Sequence, residues 1–273
     1  MLLRRLWGDK LTLNNILDEI TPLWGLCPFD KIKDELIDCR AKNRLPQKAK
    51  TVIVACFPYL LNSENYQNLN ISKYAVVADY HTVALKLLNS AIMKLQQLYP
   101  EHEFASFADN SPIPEVKAAC FAGLGVRGKN TLLITPKYGS YVFIGEIVTS
   151  LELNCDAAIE SPCIGCGKCI EACPSGALSK SGFDKAVCLS EITQKKGILS
   201  EKEENMIREC GCVWGCDICQ DICPMNKNAE ITQIKEFLAS PIAFLSEGCR
   251  LEGRAYEWRG RKVIERNLSL RKK

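Results

Sequence analysis

Cysteines at regular spacings predict iron-sulfur chemistry in this chain. Residues 163–174 read Cys-x2-Cys-x2-Cys-x3-Cys-Pro, the spacing that binds bacterial-type 4Fe-4S clusters. A later run, which ends in Cys-Pro at residues 223–224, repeats its second half. In paired clusters the last cysteine of one run binds the other cluster. We therefore expect one cluster on Cys163, Cys166, Cys169 and Cys223, and a second on Cys173, Cys188, Cys216 and Cys219.

Some ligand positions have alternatives. Cys188 is the natural eighth ligand because it stands between the two runs, while Cys210 and Cys212 compete for the later positions. Disulfides are disfavoured in a chain of 273 residues that opens without an apolar signal segment. Four closely spaced cysteines also exceed the needs of a tetrahedral zinc site. The remaining cysteines are expected in the core: Cys27, Cys39, Cys56, Cys120, Cys155 and Cys249.

Composition favours an ordinary globular protein with a basic tail. Hydrophobic residues make up 47% and charged residues 25% of the chain, and no run is long enough to span a membrane. Sixteen cysteines without an export signal predict the reducing cytoplasm. Residues 250–273 carry nine Lys or Arg against three Glu, which leaves the rest of the chain at −3. Such a tail either contacts nucleic acid phosphates or is a solvated helix.

The patterns along the chain predict an α+β fold. A mixed α/β domain over 1–154 precedes a ferredoxin-like two-cluster module over 155–228 and a basic, mostly helical segment over 229–273. Apolar periodicity places the elements of the first domain. They are helix over 10–42 with a break at 22–28, strand 51–57, helix 79–98, strand 104–108, helix 114–122, and two strands, 130–135 and 140–149, joined by a turn.

A glycine run, Gly123-Leu-Gly125-Val-Arg-Gly128, has the spacing of a dinucleotide-binding fingerprint. A true fingerprint follows a strand and opens a helix. Here a predicted helix comes first and a predicted strand follows. We therefore expect these glycines to let the backbone approach a different bulky ligand.

Several segments together resemble the epoxyqueuosine reductase family. They are FADNSPIPEVKAACFAGLGVRGKNTLLITPKYGSYVFIGEIVTSLEL, DYH at 79–81, CIGCGKCIEACP, VCLSEIT, GCDICQDICP and, near the end, RAYEWRGRKVIERNL. The resemblance implies a cobalamin beside one cluster on the α/β domain. It also implies reduction of the epoxide of a modified tRNA base to an alkene, which is the final step of queuosine biosynthesis. The expected partners are tRNA and an external electron donor, with the protein acting as a monomer.

The resemblance also implies site residues. Asp109 matches the family's catalytic acid, and that role calls for a pKa raised by burial beside Phe107, Ala108, Pro112 and Ile113. The alternative is that residues 109–112 form only a turn with a helix cap. The implied cobalamin contacts are Ser190, Lys196, Asp217, Lys129, Asn130, Thr131, Tyr80 and His81, with no histidine on the lower face of the cobalt.

Family members carry a C-terminal helical-repeat extension that has no counterpart in this sequence. The tRNA phosphates are therefore expected to meet the basic tail at Arg250, Arg254, Arg259, Arg261, Lys262 and Arg266. A poor match in the first fifty residues keeps two alternatives open. One is a related cobalamin and iron-sulfur reductase for a small epoxide or a halogenated molecule. The other is a two-cluster ferredoxin that only transfers electrons.

Overall fold

The computed structural model describes residues 13–155 and 162–271. The expectation that no signal segment opens the chain concerns residues that lie outside these ranges. The strands are β1 (Leu23–Pro28), β2 (Thr51–Pro58), β3 (Phe104–Ala108), β4 (Val126–Arg127), β5 (Leu133–Ile134), β6 (Val142–Thr149), β7 (Leu178–Ser179) and β8 (Gly182–Phe183). The helices are α1 (13–18), α2 (Tyr80–Leu98), α3 (Glu115–Phe121), α4 (Lys168–Glu171), α5 (Leu189–Gln194), α6 (Glu201–Cys210), α7 (Ile218–Asp221), α8 (Lys235–Leu238) and α9 (Arg261–Arg271).

The main sheet has four strands in the order β1-β2-β6-β3. β1 pairs antiparallel with β2, and β3 pairs antiparallel with β6. Every residue of β2 is buried, as expected for an apolar, β-branched strand covered on both faces. The predictions of β2, α2, β3 and α3 are confirmed. On α2, however, the buried stripe runs through Ala84 and Ala91 and leaves Leu98 exposed.

Of the helix predicted over residues 10–42, only residues 13–18 of the described part are α-helical, and the break predicted at 22–28 contains a strand. Residues 23–28 form β1, whose register pairs Leu23 with Cys56 and Pro28 with Thr51. Residues 29–44 contain only short 3-10 turns. The edge of β2 offers unpaired backbone groups, and pairing with them outweighs the local helical preference.

The two runs at 130–135 and 140–149 are strands, but they do not form one hairpin. β5 pairs with β4 in a separate two-stranded sheet, whereas β6 lies between β2 and β3. Only an isolated antiparallel bridge, Thr135 to Gly139, closes the turn between them. The glycine run does follow a helix and precede a strand, as predicted. A Cβ at Gly128 would collide with Asn130 and Ile134, so the protein's own side chains fill the space beside it.

The chain forms two compact units built from interleaved segments. The first comprises Met1–Phe57, His81–Val126 and Val142–Ser161; the second comprises Pro58–Tyr80, Arg127–Tyr141 and Pro162–Lys273. The predicted domain borders after residues 154 and 228 do not coincide with the borders of these two units, and the predicted division stays a prediction. The sheet strands β1, β3 and β6 belong to the first unit, and helices α4 to α9 belong to the second.

A hydrophobic cluster in the second unit packs α5, α6 and α9 together. It consists of Leu189, Ile192, Leu199, Ile207 and Leu270. Ser200 and Glu203 form a capping box that starts α6, which satisfies two otherwise unpaired N–H groups. The tail is less helical than predicted, because residues 239–256 contain no helix.

Candidate functional site

Four cysteines of the second unit line one cavity. They are Cys163, Cys166, Cys169 and Cys223, the set predicted for the first cluster. Gly167, with φ of 80°, lets the chain turn tightly into α4 between the second and third of them. The electrostatic influence of Cys223 and Cys166 on the Cys169 thiol also shows that these sulfurs are neighbours. The cysteine that the crossover assigns from the distant run therefore lines the same cavity as the first three.

The other four predicted ligands also lie together. The Cys188 thiol is influenced by Cys216 and Cys173, and the Cys219 thiol by all three of these cysteines. Burial, with these neighbours, raises the pKa of Cys219 to about 12. Cluster assembly must therefore displace protons from closely packed thiols, which is how metal binding is coupled to pH.

Cys210 stays an alternative ligand. Its thiol interacts with those of Cys212 and Cys216, and the first of these contacts is the main reason that its pKa rises to about 11. The Cys212 thiol donates to the Trp214 carbonyl at 3.3 Å. The sulfur of Cys210 thus lies beside the predicted second set, while that of Cys212 already has a main-chain acceptor.

Main-chain N–H groups surround the Cys173 sulfur. Burial raises the pKa of Cys173, but N–H groups of Leu178, Ser175 and Ala177, together with the Ser175 hydroxyl, outweigh burial and lower it overall. Donors that favour a thiolate also stabilise a cluster-bound sulfur. The loop between α4 and β7 therefore favours a negatively charged sulfur at Cys173.

Three predicted cobalamin contacts lie beside the cysteine loops. The Lys129 ammonium donates to the Gly165 carbonyl at 3.2 Å, and the buried Asn130 amide approaches the Cys219 carbonyl at 3.4 Å. Thr131 has a positive φ of 68°, which for a β-branched residue marks a constrained turn. In the structure these residues connect the 128–131 turn to both cysteine runs.

The remaining candidates of the second unit are dispersed. Asp217 accepts from the Ser72 hydroxyl and, at 2.7 Å, from the Lys73 N–H. The Ser190 carbonyl accepts from two side chains further along α5. Tyr80 packs edge-on against Tyr74. Lys196 is exposed and lines a groove with residues of the basic tail.

Sequence reasoning missed a buried network that holds the second cysteine run. The Gln220 amide donates to the Ser140 carbonyl at 2.7 Å, and the Asn226 amide donates to the Gln220 carbonyl at 2.7 Å. The Asn226 side-chain oxygen accepts from the Ser140 N–H at 2.8 Å. These amides flank Cys219 and Cys223, but no spacing pattern in the sequence marks them.

In the first unit, Asp109 lies in a turn after β3. Its φ is 62°, and its carbonyl accepts from the Ser111 N–H at 2.6 Å. The expected burial of its carboxyl among apolar neighbours is wrong, because the side chain is 61% exposed. Phe107 and Ile113 are themselves buried, whereas the Asp109 side chain is not. His81 Nε2 lies 2.9 Å from Asp109 Oδ2, so these two predicted site residues form a pair.

Two further acids near this turn were missed. Glu146 is fully buried, and neither of its carboxyl oxygens has a hydrogen-bond partner among the described residues; one oxygen of Glu115 shares this state. Burial and the charge of Asp109 raise the pKa of Glu115 to about 8. Burial, and then the charge of Glu115, raises the pKa of Glu146 well above its ordinary value. For Glu146 the sequence did contain a signal, because it is the lone acid within the apolar run VFIGEIVT.

Comparisons with known proteins agree with the cysteine geometry. The sequence model of the 4Fe-4S double cluster binding domain matches residues 162–226. This part of the chain is thus a two-cluster iron-sulfur domain. The model described as epoxyqueuosine reductase QueG, DUF1730, matches residues 40–110. No helix in the described ranges combines the length and the apolar character that crossing a membrane requires.

Individual relatives identify the family. The epoxyqueuosine reductase of Leadbetterella byssophila is 36% identical over 75% of this chain and 67% of its own length. That of Listeria monocytogenes is 35% identical over 69% of this chain and 53% of its own length. An epoxyqueuosine reductase solved with a tRNA-Tyr epoxyqueuosine-modified stem loop is 25% identical, with a TM-score of 0.81 over 97% of this chain and 81% of that one. The chain belongs to the epoxyqueuosine reductase family, and it spans about half the length of the first curated relatives it matches.

Proposed function

We propose that this protein is a cytoplasmic, cobalamin- and iron-sulfur-dependent reductase that converts epoxyqueuosine in tRNA to queuosine. The observation that carries the proposal is the grouping of the eight predicted cysteines into two neighbouring sets. Reduction of an epoxide to an alkene removes the oxygen as water and consumes two electrons and two protons. A chain that holds two one-electron centres suits this stoichiometry.

The cysteines fit the clusters, and the residues around them suit a cofactor nearby. We assign Cys163, Cys166, Cys169 and Cys223 to one cluster, and Cys173, Cys188, Cys216 and Cys219 to the other. When bound, the clusters supply single electrons and cobalamin supplies a cobalt centre that reacts as a nucleophile in its reduced state. Lys129, Asn130 and Asp217 lie next to the cysteine runs; with Thr131, Ser190, Lys196, Tyr80 and His81, they remain the proposed cobalamin contacts.

Asp109 is the proposed proton donor to the oxygen that leaves the epoxide. Its exposed carboxyl is reachable by a substrate, and His81 Nε2, 2.9 Å away, can pass it a proton. The positive φ of Asp109 holds the carboxyl at a fixed position of the turn. The turn and the acid role are therefore compatible.

The decisive experiment uses protein purified without oxygen and reconstituted with iron, sulfide and cobalamin. It is incubated with a chemical reductant and tRNA from cells that lack the reductase, and nucleosides are quantified by mass spectrometry. We expect about eight iron atoms per chain, bound cobalamin, and conversion of epoxyqueuosine to queuosine.

A matched pair of variants tests the cysteine assignment. Cys163→Ser is expected to lower iron to about half and to abolish conversion, whereas Cys249→Ser, which changes a cysteine outside both runs, is expected to do neither. Retained cobalamin without conversion would favour the reductase for a small epoxide or halogenated molecule. Failure to bind cobalamin would leave an electron carrier and contradict the proposal.

A further inference from the structure

An open groove of about 560 Å³ lies in the second unit at the start of α9. Two segments line it, residues 196–197 and residues 259–263 together with Arg266. Five of its lining residues are cationic and none is acidic: Lys196, Arg259, Arg261, Lys262 and Arg266. Such a set produces a strongly positive potential inside a concave surface.

The charges at the start of α9 are unfavourable unless an anion is present. A helix N-terminus carries a partial positive charge, which acidic side chains normally offset. The first turn of α9 contains no acidic residue and begins with Arg261 and Lys262. The groove therefore combines side-chain cations with the positive end of an eleven-residue helix.

Two of the three arginines that line the groove, Arg259 and Arg266, each have a buried N–H group without an acceptor in the described part of the chain. Arg266 donates through Nη1 to the carbonyls of Lys195 and Gly197, at 2.8 and 2.9 Å, but its buried Nη2 has no partner. Arg259 stacks on the Trp258 ring at 3.8 Å, and its buried Nε has no partner. Unpaired buried donors are costly, so the protein alone does not satisfy these two guanidinium groups completely.

Nearby acids do not neutralise the groove. Glu203 and Glu204 act on Arg266 electrostatically, but Lys195 binds Glu203, and Arg208 binds Glu204 at 2.7 Å. Glu252 also acts on Arg261, but the lining itself contains no acid, and this favours an external anion as counter-charge.

We infer that this groove binds a backbone phosphodiester of an RNA substrate. Guanidinium groups match the geometry of phosphate oxygens, and lysines add charge. The groove is larger than a single free phosphate requires, and the half-exposed Trp258 ring, against which the lining Arg259 stacks, offers a surface for a base. This inference rests on the proposed function for the presence of RNA, and it assigns the contact to one site. Arg254 is excluded, because it is buried and donates to the carbonyls of Val76 and Ser240.

The test uses a fluorescent RNA anticodon stem loop that carries no epoxide. Its binding to the reconstituted protein is measured by fluorescence anisotropy at several salt concentrations. The variant is Arg261→Gln with Lys262→Gln, since both side chains line the groove, are exposed and are not proposed cobalamin contacts. We expect affinity to fall about tenfold or more at low salt, and the salt slope to decrease by about 1 to 2. The matched control, Arg250→Gln with Lys235→Gln, removes the same charge outside the groove and is expected to change affinity much less.

Equal effects of the two double variants would overturn the groove site, as would absence of RNA binding by the unaltered protein. Unchanged RNA affinity of the Arg261→Gln, Lys262→Gln variant would also overturn it. Because the RNA carries no epoxide, binding does not depend on turnover. Groove-dependent binding without any epoxyqueuosine reduction would contradict the proposed function and leave the groove site supported.

Discussion

The two units hold their carboxylates in opposite ways. In the second unit, Asp217 accepts from the Ser72 hydroxyl and the Lys73 N–H. Asp221 pairs with the Lys73 ammonium and accepts from the Tyr141 hydroxyl at 2.8 Å. In the first unit, the buried oxygens of Glu146 have no partner in the described residues.

This difference separates a structural role from a chemical one. A carboxylate with several donors anchors the chain, and at Asp217 these donors oppose the burial that on balance raises its pKa. At Glu146 burial raises the pKa further above its ordinary value, so this carboxyl retains its proton. Glu115 and Glu146 therefore form a proton-holding pair close to the Asp109 turn, whereas Asp217 and Asp221 attach the second cysteine run to residues 72 and 73.

The largest effect is expected at Asp109, and its measurement tests whether the first unit supplies the catalytic acid. Asp109→Asn is expected to lower turnover by about 10²–10⁴-fold, because the amide cannot donate an acidic proton. Iron and cobalt contents should not change. Asn110→Ala, an exposed change in the same turn, is the control. Near-normal turnover in Asp109→Asn would remove the acid assignment and the contrast built on it.

The next prediction concerns the pH dependence of stability. Because the folded protein keeps the Glu115 proton that the unfolded chain releases, this stabilisation is complete below pH 4.5 and is lost as the pH rises through about 8. Glu115→Gln should therefore flatten the decline in unfolding free energy between these limits, by on the order of 2–4 kcal/mol.

Anaerobic thermal unfolding at both pH limits measures this effect. Glu64→Gln changes an exposed acid and serves as the control. An unchanged pH slope in Glu115→Gln would show that this carboxyl is not the proton-holding group.

A smaller effect is expected for the anchored carboxylates. Asp217→Ala leaves the Ser72 hydroxyl and the Lys73 N–H without their acceptor and should lower the free energy of unfolding by about 1–3 kcal/mol. Asp217→Asn retains an acceptor oxygen and should cost less. Thermal unfolding of both variants, with the exposed Glu209→Ala as control, gives the ranking. The reverse order of the two Asp217 variants would contradict an anchoring role.

The smallest effect concerns the Lys73–Asp221 ion pair. The Asp221 side chain is 46% exposed, so solvent screens the pair and its coupling energy should stay below about 1 kcal/mol. A double-mutant cycle with Lys73→Met and Asp221→Asn measures it by thermal unfolding. A much larger coupling would place the pair among the principal anchors of the second cysteine run.

Local patterns predicted much of this molecule. β2 and β3 follow from short apolar runs, and α2 and α3 follow from helical periodicity and from Pro114 and Gly123 at the ends of α3. The same reasoning failed for β1, since Leu23–Pro28 becomes a strand only by pairing with β2. It also joined β5 to β6 in one hairpin, although β6 pairs with β3.

For the site, the cysteine spacings together with the crossover rule predicted the two ligand sets; this assignment stays a prediction, since Cys188 has no spacing partner and Cys210 stays an alternative. The environment of Asp109 could not be predicted in this way. Apolar neighbours in the sequence suggested burial, but successive side chains near the turn point in different directions. The acids that do lie buried, Glu115 and Glu146, come from α3 and β6 and meet only after folding.

The amino-acid sequence by itself determined the metal chemistry, since thiolates at fixed short separations can wrap a cluster whatever surrounds them. Tertiary structure alone decided which carboxyls keep protons and which charges stay unsatisfied. Burial and the number of available donors set these properties, and both depend on contacts between segments far apart in the chain. The unpaired guanidinium groups of Arg259 and Arg266 are visible for the same reason only in the folded protein.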